Sequence, residues 1–158
     1  MTSPTFCYVI LAHTDPEGLI RLVRRIRALS PDAGIVVRHQ DPALIGPAEL
    51  DPLGAIDLVS DVAVTWGGWG MVQAAVEALG TALTRTQADF VTLISGQDYP
   101  IRDLATWESE VVAAGVDAIL DPMSSARYAW RGAEGSRSSP RTTWSTPCSA
   151  SSTTTARL

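Results

Sequence analysis

The stretch YVILAHTDPEGLIRLVRRIRALSPDAGIVVR, residues 8 to 38, decides how this chain is read. Its first five residues, Tyr8 to Ala12, form a short apolar run with turn and cap residues directly behind it, the pattern of a strand buried on both faces of a parallel sheet. Thr14-Asp15-Pro16-Glu17 then supplies a capping-box spacing with a proline at the first helical turn. Leu19, Leu22, Val23, Ile26 and Leu29 follow at helical intervals, which predicts a helix from about Pro16 to Leu29. A Ser-Pro-Asp turn leads into Gly34 to Arg38 as a second strand. Strand, helix and strand within about thirty residues make a β-α-β unit, whose crossover is expected to be right-handed.

Working outward, Asp41 to Pro52 carries three prolines and a glycine among small residues and reads as loop with at most a helical turn. Val62 to Thr65 reads as a short third strand, interrupted by Trp66-Gly67-Gly68-Trp69-Gly70. Val72, Ala75, Val76, Leu79 and Leu83 mark the apolar stripe of a second amphipathic helix, and Asp89 to Ile94 reads as a fourth strand. Leu104, Trp107 and Val111 suggest a third helix, and Ala118 to Leu120 a fifth strand. The alternation predicts an α/β fold, a mostly parallel sheet flanked by helices.

Composition narrows the function classes. The 158 residues carry a net charge of −5, and all twelve basic residues are arginines, so no broad basic face suits nucleic acid. Four arginines, Arg21, Arg24, Arg25 and Arg27, fall mainly off the first helix's apolar stripe and read as a solvated face. The absence of Lys and Asn beside abundant Arg and Ala reads as coding bias. No run of eighteen apolar residues and no signal-peptide pattern occurs, so the chain reads as soluble and cytoplasmic. Cys7 and Cys148 lack CxxC spacing, and Cys7 reads as a small buried hydrophobe rather than a nucleophile.

From Ser136 to Leu158, 13 of 23 residues are Ser or Thr and none is acidic. Such a segment lacks the apolar surface for a core and is expected to be disordered. The domain division is therefore 1–128 for the folded part and 129–158 for the tail, which reads either as a mucin-like linker or as the product of a shifted or truncated reading frame.

Three loops at expected carboxyl ends of strands hold the candidate chemistry: Ala12-His13-Thr14, Trp66 to Gly70, and Ser95-Gly96-Gln97-Asp98-Tyr99-Pro100. In parallel sheets ligands sit outside that edge. Gly67, Gly68 and Gly70 permit close backbone approach, and the helix start behind them offers amides to an anion such as a diphosphate. Trp66 or Trp69 can stack on a flat ring, or both can pack in the core. Asp98 can bind a ribose or sugar hydroxyl, cap the next helix, or hold its own loop through backbone amides. His13 can meet a ligand or a loop carbonyl; without a second ligand at fixed spacing it predicts no metal site. GxGxxG, GxxxxGK[ST], GxSxG and an Asp-X-Asp triplet are all lacking, so dinucleotide-fingerprint, P-loop and serine-hydrolase readings fall away.

YVILAHTDPEGLIRLVRRIRAL, WGGWGMVQAAVEALGTAL and DFVTLISGQDYPIRD together resemble the amino-terminal half of the Core-2/I-branching glycosyltransferases, which include N-acetylglucosaminyl- and peptide O-xylosyltransferases. The resemblance spans about Phe6 to Leu120. It implies a GT-A-like fold, incomplete here, and inverting transfer of a sugar from UDP-GlcNAc or UDP-xylose to a glycan or other acceptor hydroxyl. It implies no metal or other cofactor. By motif matching, Leu11, Ala12, His13, Asp41, Trp66, Gly67, Gly68 and Asp98 would form the donor site, with Asp98 organising its loop. The family's catalytic glutamate and its diphosphate-neutralising basic residues would lie beyond this chain, so a truncated, weakly active or inactive protein is expected. Some family members are membrane-associated. The alternative is a non-catalytic α/β binding or interaction module that uses the same loops structurally.

Overall fold

A computed structural model describes residues 4–65, 67–119 and the backbone of 154–157. The first strand, β1 (Phe6–Leu11), is followed by α1 (Pro16–Leu29) and β2 (Gly34–His39). Helix α1 starts where the sequence places it: the Asp15 side chain accepts from the Gly18 amide at 2.9 Å, and Pro16 occupies the first turn. Its stripe of Leu19, Leu22, Val23 and Ile26 is buried against the sheet.

A single turn, α2 (Pro47–Leu50), and a 3₁₀ turn at Asp51–Leu53 lead to β3 (Ile56–Val59). The third strand thus precedes the Val62–Thr65 run that sequence pattern favoured. Residues 61–65 are held instead by side chains: Arg38 Nη2 donates to the Val62 carbonyl at 2.8 Å, and the Val64 amide donates to Gln40 Oε1 at 3.0 Å. Then come α3 (Trp69–Thr86), β4 (Phe90–Ser95), α4 (Leu104–Ala114) and β5 (Ala118–Ile119), with β6 at Thr154–Arg157. At the start of α4, Asp103 Oδ1 accepts from the Thr106 amide at 2.8 Å. Bonds from the Thr106 hydroxyl and amide hold its carboxyl below the usual range.

The sheet order is β3-β2-β1-β4-β6-β5. The first four strands are mutually parallel, while β6 runs antiparallel to β4 and β5 on either side. Most of the 129–158 tail, expected to be disordered, falls outside the described residues; the backbone of Thr154–Arg157 is described and pairs with Phe90–Leu93. The pairing has a physical reason: without β6, β4 would be an edge strand with backbone N–H and C=O groups in need of a partner. The division at residue 128, Leu120 and Cys148 lie outside the described residues.

Alternation along the central strands builds a core on each face. Phe6, Tyr8 and Ile10 meet α1 and α4, whereas Cys7 and Val9 meet Val36, Val91 and α3. The Tyr8 hydroxyl donates to Glu108 Oε1 at 2.7 Å; burial first, then this bond and the carboxylate's charge, push its pKa up. Cys7 is fully buried and its thiol pKa is raised by that burial. On α3 the structure corrects the expected stripe. Ala74, Ala78 and Ala82 face the sheet, while Val72, Val76 and Leu83 are exposed. Small residues let the helix axis approach the strands closely, which the larger residues of the expected stripe would not permit. Among the described residues no helix is long and apolar enough to cross a membrane.

Candidate functional site

Strand β1 lies between β2 and β4, so the chain leaves β1 toward one side of the sheet and later returns on its other side. Such a switch point opens a crevice at the strands' carboxyl ends. Ala12, directly after β1, donates its amide to the Arg38 carbonyl at 2.8 Å, and the Gly96 amide donates to the Leu11 carbonyl at 2.8 Å. The loops after β1, β2 and β4 are thereby drawn to one edge.

A hollow of about 780 Å³ opens there, between the sheet edge and the first turns of α3. Leu11, Ala12 and His13 line it from the β1 loop; Ser95, Gln97 and Asp98 line it from the β4 loop. Arg38 contributes from β2 and Gln40 from just beyond its end, Met71 and Ala74 from α3. Its walls are mostly apolar, with polar groups gathered at the loops, the character of a site for a ring that carries a few hydrogen-bonding atoms.

The β4 loop is internally braced. Asp98 Oδ2 accepts from the Ser95 amide at 2.8 Å, the Asp98 amide donates to the Ser95 carbonyl at 3.0 Å, and the Gln97 amide donates to Ser95 Oγ at 3.2 Å. Of the roles open to Asp98, the structure shows the one that holds its loop. Gln97 Nε2 reaches Thr14 Oγ1 at 3.4 Å and ties this loop to the one after β1. His13 is exposed at the rim.

The other described candidates, Asp41, Gly67 and Gly68, do not line the hollow. Asp41 is exposed and spends Oδ1 on the Ala43 amide at 2.9 Å, an Asx turn of its own loop, and it does not line the hollow. Trp66 lies outside the described residues. Gly67 adopts a φ of 72°, which only glycine takes without strain, but neither it nor Gly68 lines the hollow. Gly68 is the N-cap of α3 and has no side-chain cap. Trp69 is 75% exposed, so it is not a core residue. Met71 Sδ accepts from the Gly67 amide at 3.2 Å, linking the glycine turn to the hollow's wall.

Sequence reading missed Arg38, Gln40 and Met71. For Arg38 a signal was present: a charge closes an apolar strand in a sheet buried on both faces, where an unpaired charge is costly. Arg38 is 3% exposed, and its Nε lies 3.6 Å from Glu77 Oε2 of α3. Next to it, His39 is fully buried, with Nε2 2.7 Å from Asp57 Oδ1 and Nδ1 2.8 Å from the Asp41 carbonyl. Among the described residues no three His, Cys, Asp or Glu side chains gather as a metal-holding group.

Fold and site together define an α/β protein with a four-stranded parallel layer and a mainly apolar hollow at its switch point. No protein-family model matches the chain, and no curated protein matches it.

Proposed function

We propose that this chain is the donor-binding part of a glycosyltransferase similar to the Core-2/I-branching enzymes. It binds UDP-GlcNAc or UDP-xylose for inverting, metal-independent transfer to an acceptor hydroxyl, and its sheet is the nucleotide-binding layer of a GT-A-like fold. The observation that carries this reading is the meeting of Leu11, Ala12 and His13 with Ser95, Gln97 and Asp98 around one hollow. These are the segments on which the sequence resemblance rests, and they are distant along the chain. The volume, about 780 Å³, falls within the usual range for small-molecule sites of roughly 300–1,000 Å³.

In this reading the apolar walls at Leu11 and Met71 receive the flat base, the braced β4 loop faces the ribose and sugar, and Asp98 keeps that loop in shape. Trp66 supplies an aromatic beside the donor, while the Gly67 and Gly68 amides, engaged by Met71 Sδ and the Thr65 carbonyl, shape the turn next to the hollow's wall rather than meet the diphosphate.

One observation favours a second reading, a non-catalytic α/β binding or interaction module. The carboxylates of Asp98 and Asp41 are both engaged by amides of their own loops. Isothermal calorimetry with UDP separates the two. Saturable binding by the wild type, weakened about tenfold or more in Asp98→Ala and Trp66→Ala, supports the donor site. A folded protein that takes up no UDP leaves the module as the better reading.

A further inference from the structure

Arg38 and Glu77 form a pair whose facing atoms are not satisfied. Nη2 donates to the Val62 carbonyl, but Nε and Glu77 Oε2, 3.6 Å apart, are both buried and neither makes a hydrogen bond. A buried donor and acceptor left in this state cost stability, and native proteins keep few of them. Arg38 nonetheless lines the hollow from inside the sheet, while the Glu77 side chain retains 35% of its exposure.

The charges indicate what such a pair accepts. A lone buried guanidinium would select a phosphate, with which it makes charge-assisted bonds. Here the Glu77 carboxylate already neutralises Arg38, and a phosphate placed against the guanidinium would also face that carboxylate, in a site where like-charge repulsion is poorly screened. An uncharged acceptor gains the donor without the repulsion. The mostly apolar walls around it suit a flat heterocycle better than a hydrated anion.

We infer that Arg38 is a ligand-binding residue of the hollow, and that with Glu77 as its counter-charge it takes an uncharged ring carbonyl of a nucleobase and discriminates against phosphate. The inference rests on the nucleotide reading proposed above. It fixes the ligand's direction: base toward β2 and α3, phosphates away from Arg38.

Three ligands, uridine, UDP and inorganic diphosphate, titrated into the full chain by calorimetry test this. Wild type is expected to bind uridine and UDP. Arg38→Met is expected to weaken both by about tenfold or more, the usual weight of a hydrogen bond from a charged donor, and to leave diphosphate affinity unchanged. Glu77→Gln, which removes the opposing charge while keeping the shape, is expected to raise diphosphate affinity by about tenfold. A folded Arg38→Met chain that binds uridine like wild type assigns Arg38 a structural role and overturns the inference. So does equal loss of uridine and diphosphate, which would make the site an anion site. If Arg38→Met does not fold by circular dichroism, Glu77→Gln decides, and an unchanged diphosphate affinity overturns the proposal. A wild type that binds UDP in the absence of these mutant effects defeats only this inference; one that binds neither UDP nor uridine defeats the nucleotide reading as well.

Discussion

Arg27 places four hydrogen bonds from one guanidinium. Nε donates to the Leu53 carbonyl at 3.0 Å, Nη1 to the carbonyls of Pro31 and Ala33 at 2.7 and 2.8 Å, and Nη2 to the Gly54 carbonyl at 3.0 Å. It therefore clamps the end of α1 to the turn before β2 and to the 3₁₀ turn before β3. Of the four arginines read as a solvated face, Arg21, Arg24 and Arg25 are exposed, and Arg27 is the exception. Helical spacing cannot reveal this, because its partners are backbone carbonyls brought close only by tertiary folding. Arg27→Lys should destabilise the protein by about 2 kcal/mol, since an ammonium cannot span a planar set of acceptors. The expected sign is a lower urea midpoint with an unchanged slope; a midpoint equal to wild type would deny the clamp its role. In the candidate site the same limit operates. Leu11, Ala12, His13 and Asp98 were legible because they follow apolar runs, whereas Arg38 acquires its meaning from Glu77, thirty-nine positions away on another element.

At the scale of elements, α1, β1, β2 and β4 were legible because period and burial coincide: each apolar residue of the pattern is one that packs. Helix α3 was legible as a helix but not in its buried face, and strand β3 was not legible. In α3, residue size misled, since the close approach belongs to Ala74, Ala78 and Ala82 rather than to the bulkier Val72, Val76 and Leu83. In β3, Asp57 disguises a strand; its carboxylate is matched by His39 on the neighbouring strand, a pairing invisible along the chain. Two glycines of α3 give a paired test. A Cβ at Gly70 would overlap the Ala63 carbonyl oxygen, while one at Gly80 would meet nothing within 4 Å. Ordinary helix propensity predicts that Gly80→Ala raises stability by about 0.5–1 kcal/mol. Gly70→Ala should instead lower it by about 1–3 kcal/mol, because the first turn must move off the 61–65 segment. Thermal melts of the two variants check the contrast, and a stabilised Gly70→Ala chain would show that the close approach is relaxed in solution.

Over the whole molecule, the strand order β3-β2-β1-β4 follows from right-handed crossovers once the elements are known, with α1 and α4 on one face and α3 on the other. The position of β6 does not follow, because a Ser/Thr-rich segment carries no apolar signal for a strand. Its register, Thr155 opposite both Thr92 and Ile119, puts it in the interior of the sheet. Thr155→Pro removes an N–H from a strand paired on both sides. It should cost about 1 kcal/mol or more, a fall of roughly 2–4 °C in melting temperature, and increase self-association in light scattering. A variant that melts and scatters like wild type would argue that β6 does not hold β4 in solution. The late return of β6 also sets a schedule for synthesis. The parallel layer is encoded by Ser95, but the strand that shields β4 is translated roughly sixty residues afterwards, some 3–12 s at ordinary ribosome speeds of about 5–20 residues per second. Through that interval a nascent chain carries a naked, hydrogen-bond-hungry margin, so crowding on polysomes, more than heat, is the hazard this topology must survive.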